Sequence, residues 1–209
     1  VYVAGAFQAP KVIQRSVTEA SSAAAEAATA LIQSRGELTR RKTYPAERGV
    51  AGDETRIGVF VCSCGINIAG VINVDEVTKY ARSLPHVVLA ENNLFSCSAD
   101  TQELMAKKIS EHRLNRVVIA ACTPRTHEPL FQDTLRETGL NPYLVEMANI
   151  RNQNAWVHQR EPEKATDKAK DQVRMAVAKT ALSVPLDSGR VNVVSKALVI
   201  GGGVAGMAA

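Results

Sequence analysis

Between residues 56 and 150 the chain alternates between short apolar runs and longer amphipathic stretches. The runs "IGVFV" (57–61), "VVLA" (87–90) and "RVVIAA" (116–121) are almost unbroken in apolar residues, and "YLVE" (143–146) is a fourth. Runs of this kind suit strands buried on both faces. Between them apolar residues recur at helical spacing, which predicts helices over 74–84, 101–112 and 128–138. Asn73, and Ser98 or Asp100, stand where N-caps belong, and Gly139 closes the third helix. The alternation predicts an α/β fold: a small parallel sheet with helices on both faces, Rossmann- or flavodoxin-like.

The flanks read differently. Val1–Ala4 is a strand candidate, and "SVTEASSAAAEAATALI" (16–32) is helical by propensity. Residues 33–55 are polar, with three glycines and a proline, and read as a linker. Beyond residue 150, a helix over 150–158 holds the only tryptophan, Trp156. A long helix over 163–182 has an apolar face at Ala165, Ala169, Val173, Ala176 and Val177. Strands are predicted over 191–194 and 196–200, ahead of a glycine-rich turn.

A length of 209 residues fits one or two domains, and a 45% apolar share can fill an ordinary core. The net charge of +4 comes from 25 basic and 21 acidic residues mixed along the chain. That balance lacks the clustering a nucleic-acid surface requires. There is no signal peptide, and no apolar run near the roughly 18 residues of a membrane span. The expectation is a cytoplasmic protein. The chain opens without Met and closes on "KALVIGGGVAGMAA", a strand and turn with little helix after it. A nucleotide-binding unit needs about 30 residues of strand, helix and strand, so both ends read as parts of neighbouring domains.

The four cysteines all lie in the alternating region. Cys62 and Cys64 follow the first strand, Cys97 comes just past the second, and Cys122 ends the third. In a parallel sheet all strands finish at one edge, where ligands bind. The four thiols are therefore expected at one place. Four converging thiolates can hold an iron-sulfur cluster or a structural zinc; two disulfides are a third option, which an intracellular chain disfavours, and a Cys62/Cys64 redox pair and four unconnected buried thiols are the other readings. One C-x-C pair plus two isolated cysteines does not match the paired knuckles of zinc sites. Thr123-Pro124 turns the chain after Cys122 and brings Arg125 and His127 to the same edge; Arg151 and His158 are further candidates beside the site.

"ALVIGGGVAGM" fits G-x-G-x-x-G at Gly201, Gly203 and Gly206, directly after an apolar run. That context suits a dinucleotide pyrophosphate at a helix N-terminus.

Residues 57–207 closely resemble the N-terminal part of the A subunit of heterodisulfide reductase. The resemblance rests on "VCSCGINIAG", "LFSCS", "ACTPRTHEPLFQ", "GLNPYLVEMANIRNQNAWVH", "EKATDKAKDQVRMAVAK" and "ALVIGGGVAGM". It implies an iron-sulfur flavoprotein in which Cys62, Cys64, Cys97 and Cys122 ligate a [4Fe-4S] cluster and Gly201, Gly203 and Gly206 open an FAD site. It also implies an oxidoreductase that relays single electrons between a partner's redox centre and FAD. Heterodisulfide reduction and flavin-based electron bifurcation are the implied setting. The implied partners are other subunits of a heterodisulfide-reductase-like complex and an electron-donating hydrogenase or dehydrogenase subunit. The expected organisation is the end of a preceding flavin domain (1–32), a linker (33–55), an iron-sulfur α/β domain (56–160), a bridging helix and connection (161–195), and the start of an FAD-binding domain (196–209). That order suggests a parent with two such modules in tandem. The alternative is a zinc-stapled docking module without redox activity.

Overall fold

A computed structural model describes the chain from Val1 to Ala208, apart from Leu38, Arg40, Arg41, Arg190 and Ser195; Ala209 is also outside the described residues. Those positions take in parts of the expected linker, of the connection before the glycine turn, and the last residue of the expected FAD-binding start. The chain divides into two compact units, Val1–Thr43 and Tyr44–Ala209. The division falls inside the stretch expected as linker.

The first unit is built on helix α1 (Ile13–Ala30), with a short 3-10 turn at Gly5–Phe7 before it. Glu19 joins the two. Its carboxylate accepts from the Gly5 amide at 3.1 Å and pairs with Lys11. The hydrogen bond from Lys11 holds the Glu19 pKa below its ordinary value. Val1–Ala4 does not form the expected strand, because no strand among the described residues lies beside it to complete a ladder.

In the second unit, strands β1 (Ile57–Cys62), β2 (Val87–Asn93), β3 (Arg116–Ala121) and β4 (Val145–Asn149) form one parallel sheet in the order β2-β1-β3-β4. Helices α2 (Val74–Ala81) and α5 (Pro162–Ala181) pack on each other and on the sheet, while α3 (Ala99–Glu111) and α4 (Pro124–Glu137) form a second pair. Right-handed crossovers produce this arrangement. The connection from β1 to β2 runs one way along the sheet, and those from β2 to β3 and β3 to β4 run the other, so their helices cover opposite faces. Every residue of the central strands β1 and β3 is buried, whereas the edge strand β2 is half exposed.

The strands fit the expected positions with two physical adjustments, and one expected helix changes form. β2 continues through Glu91, Asn92 and Asn93, since an edge strand tolerates polar residues. β4 starts two residues late because the Asn141 side chain accepts from the Tyr143 amide at 3.1 Å and holds the preceding turn. The helix expected over 150–158 is a single π-turn, Arg151–Ala155. Asn154 is wholly buried there and donates to the Ala165 carbonyl at 2.8 Å. Val191–Val194 and Lys196–Ile200 are not strands; among the described residues no strand pairs with them.

Residues from Tyr44 onward belong to this unit. Val50 is buried in the core, and the Arg48 amide donates to the Gly139 carbonyl at 2.7 Å. Asn115, also buried, accepts from the Arg56 amide and donates to the Glu54 carbonyl, both at 2.8 Å.

Candidate metal centre

The strand order reverses between β1 and β3. Such a switch point opens a crevice at the carboxyl ends of the strands. Cys62 is the last residue of β1, and Cys122 is the first after β3, so the two cysteines flank that crevice. The two strands are in register, with Val61 opposite Ala120. Both thiols are almost wholly buried.

The other two cysteines come from loops tied to the same edge. The hydrogen-bond ladder continues past β1 and β2: the Ser63 amide donates to the Asn93 carbonyl at 2.8 Å and the Cys64 amide to the Leu94 carbonyl at 2.9 Å. Cys64 takes a left-handed conformation, φ 37°, which disfavours any residue with a Cβ. The loop then folds back tightly, with the Ala69 amide on the Ser63 carbonyl at 2.8 Å. Gly70 is needed there: a Cβ would stand 2.7 Å from the Ile66 carbonyl oxygen. Cys97 is exposed and ends the loop from β2 into α3.

Electrostatic coupling links all four. Burial pushes the Cys62 thiol up, Ser96 pulls it down, and Cys64 pushes it up again. Burial also pushes the Cys122 thiol up, opposed by the Arg151 cation and reinforced by Cys62 and Cys97. Helices α3 and α4 begin within two residues of Cys97 and Cys122, so the positive ends of two helix dipoles face the thiols. Each such end favours nearby negative charge by about 0.3–1 kcal/mol.

The four thiols are free, with no disulfide between them. Among the described residues no three His, Cys, Asp or Glu side chains gather around a single-ion position. Zinc with sulfur at about 2.3 Å requires such a gathering, so the zinc staple draws no support from this geometry. A four-iron cluster is broader and takes its ligands at separate corners. Two buried donors at the edge also suit a sulfur-rich group. The Asn93 side-chain amide has no hydrogen-bond partner, and Ser96 reaches the Cys62 sulfur with its backbone amide, at 3.4 Å, and with its side chain.

Of the basic candidates, Arg151 acts on Cys122 directly. Its guanidinium lies 4.9 Å from the centre of the Trp156 ring, and the Trp156 indole donates to Asn67, in the loop after Cys64, at 3.2 Å. Arg125 and His127 sit in the first turn of α4. His158 turns instead to Lys168, at 2.9 Å, and Glu161. Ser96, Asn93 and Asn67 carry no signal in the sequence; only their burial or partners mark them.

At the far end of the unit, Gly201 has φ 119° and helix α6 (Val204–Ala208) follows. A Cβ at Gly206 would run into the Gly201 carbonyl. The backbone thus favours glycine at Gly201 and Gly206, whereas a Cβ at Gly203 would meet open space.

A parallel sheet of order 2-1-3-4 with helices on both faces defines an α/β domain, with Cys62 and Cys122 at the carboxyl ends of its central strands. No family model matches the chain. The chain is 53% identical over 158 residues, 76% of its length, to a protein of Archaeoglobus profundus described as like the A subunit of heterodisulfide reductase. It is 53% identical over 160 residues, 77% of its length, to the second iron-sulfur A subunit of the CoB–CoM heterodisulfide reductase of Methanopyrus kandleri. A third relative, 49% identical over 154 residues and 74% of the chain, is the A subunit of the ferredoxin/F420H2-dependent CoB–CoM heterodisulfide reductase of Methanosarcina acetivorans. Over these residues the chain belongs to the family of heterodisulfide reductase A subunits. The matches cover only 22%, 24% and 19% of those relatives' own lengths.

Proposed function

We propose that Cys62, Cys64, Cys97 and Cys122 together hold a [4Fe-4S] cluster, and that the domain passes single electrons between a partner's redox centre and FAD. The observation that supports this best is that Cys62 and Cys122 stand at the ends of adjoining strands at the β1/β3 switch point, with Cys64 and Cys97 in the loops beside them and the buried Asn93 amide left without a partner. The cluster would supply one-electron exchange. Cys62 and Cys122 are fixed by the core and shielded from water, while Cys64 and Cys97 close the site from loops joined by backbone hydrogen bonds. Arg151, steadied by Trp156, and the N-termini of α3 and α4 offset the negative charge of four thiolates.

Gly201, Gly203 and Gly206 would receive the FAD pyrophosphate in the whole protein, and residues 1–32 would close a preceding flavin domain. The whole protein would serve as the oxidoreductase component of a cytoplasmic heterodisulfide-reductase-like complex, exchanging electrons with a hydrogenase or dehydrogenase subunit. Bifurcation at the flavin fits this setting. The family supports this assignment, as do the relatives' names, one of which ties the Methanosarcina acetivorans protein to ferredoxin or F420H2. Among the described residues no helix is long and apolar enough to cross a membrane.

Anaerobically purified chain should show a broad absorption near roughly 400 nm that bleaches with dithionite. Cys97→Ser should remove the band. A colourless protein that binds zinc would sink the proposal.

A further inference from the structure

We propose that Ser96, seconded by Asn93, raises the reduction potential of the iron-sulfur centre by donating side-chain hydrogen bonds to its sulfur atoms. This rests on the cluster assignment above. Ser96 is 1% exposed, and its hydroxyl has no oxygen or nitrogen partner. Its side chain reaches the Cys62 sulfur instead, where its hydrogen bond lowers the thiol pKa. The residue is also clamped. Its carbonyl accepts from the Gln102 amide on α3, and Gln102 in turn accepts from the Thr134 hydroxyl on α4. Its backbone amide points at the Cys62 sulfur, 3.4 Å away. Ser96 is therefore held with both its amide and its hydroxyl turned to the Cys62 sulfur.

Asn93 supplies an independent second case. It lies opposite Cys62 in the β1/β2 ladder, so the two side chains leave the same face of the sheet. Its Nδ2 is buried without a partner, and an amide nitrogen can only donate. Two donors, the Ser96 hydroxyl on Cys62 and the unpaired Asn93 amide, thus flank a site whose thiolate and sulfide atoms can only accept. When one electron enters, no bond is made or broken and the negative charge on those sulfurs grows. Donated hydrogen bonds favour the reduced form and move the potential upward.

The test is a redox titration of the full chain, read by EPR, for the wild type, Ser96→Ala, Ser96→Thr and Asn93→Leu, with iron counted in each. Ser96→Ala should keep its iron and shift the midpoint to more negative values. The reduction equilibrium should change by up to about tenfold, or about 59 mV for one electron. Ser96→Thr, which keeps the hydroxyl, should match the wild type, and Asn93→Leu should shift the same way as Ser96→Ala. An iron-loaded Ser96→Ala with an unchanged midpoint overturns the proposal, as does an equal shift in Ser96→Thr. If Ser96→Ala does not assemble, Asn93→Leu decides by the same criterion. Loss of iron from both variants also overturns it, since the side chains would then be structural. A wild type that binds no iron removes the cluster assignment itself, and the iron count separates that failure from the others.

Discussion

The Cys64 amide donates to the Leu94 carbonyl at 2.9 Å, which ties the loop bearing Cys64 to the loop that leads to Cys97. That bond holds Cys64 at φ 37°, a conformation glycine would adopt without penalty. A non-glycine residue in this region costs about 1–2 kcal/mol. The thiol is thus kept at a position where the backbone favours its absence. In the metal-free protein, Cys64→Gly should be more stable than Cys64→Ala by about 1 kcal/mol, as read by urea denaturation. Equal stabilities would show that the conformation is not strained. Neither variant should retain iron.

Gly70 makes the turn that follows. Its missing Cβ leaves room for the Ile66 carbonyl. Gly70→Ala should destabilise the protein by about 1–3 kcal/mol, the usual range for overpacking against unyielding atoms. Because the shift would fall within the loop carrying Cys64, the variant should also lose iron faster to a chelator. A wild-type chelation rate would show that the loop does not govern the site.

Asn115 provides the contrast, since it sits at the opposite edge of the sheet. Its side chain makes two backbone hydrogen bonds while 2% exposed. Asn115→Ala should lower stability by about 1–2 kcal/mol, because it removes the two hydrogen bonds to the Arg56 amide and the Glu54 carbonyl. Iron content and midpoint potential should be unchanged. A shifted potential would mean that the site responds to the whole sheet rather than to its carboxyl edge.

Burial raises the thiols of Cys62 and Cys122 in the folded, metal-free protein. The neutral thiol is therefore the form the fold favours. Below the unfolded-state value of about 8.5 both states hold the proton and the favourable contribution is complete. As pH rises through that value and on through the raised folded values, the unfolded chain ionises first and stability falls. Urea midpoints of the metal-free protein should decline from pH 7 to pH 10. Replacing both residues by serine should flatten the decline, and an unchanged slope in the double variant would contradict the assignment. Thiolate ligands must also shed these protons, so iron should bind more weakly as pH falls.

Much of this was legible in the chain. The central strands announce themselves because they are buried on both faces and so are written in unbroken apolar residues, as in "RVVIAA". The edge strand is obscured at Glu91–Asn93, where exposure allows polar side chains. The placement of four cysteines after parallel strands follows from topology alone, so the shared edge could be anticipated. Ser96 could not, because a serine beside a cysteine draws no notice until its burial and its contact with the Cys62 sulfur are known. Nor could the π-turn at Arg151–Ala155, which depends on where Asn154 finds its acceptors.

The account stands on four sulfurs meeting around one inorganic centre. Iron and acid-labile sulfide counted on the anaerobically reconstituted chain, together with the EPR spectrum after dithionite, test it most directly. About four iron atoms and four sulfides per chain with a one-electron-reduced cluster signal, both lost in each single Cys→Ala variant at 62, 64, 97 and 122, is the predicted result. Full iron loading that survives removal of any one of those thiols would contradict it.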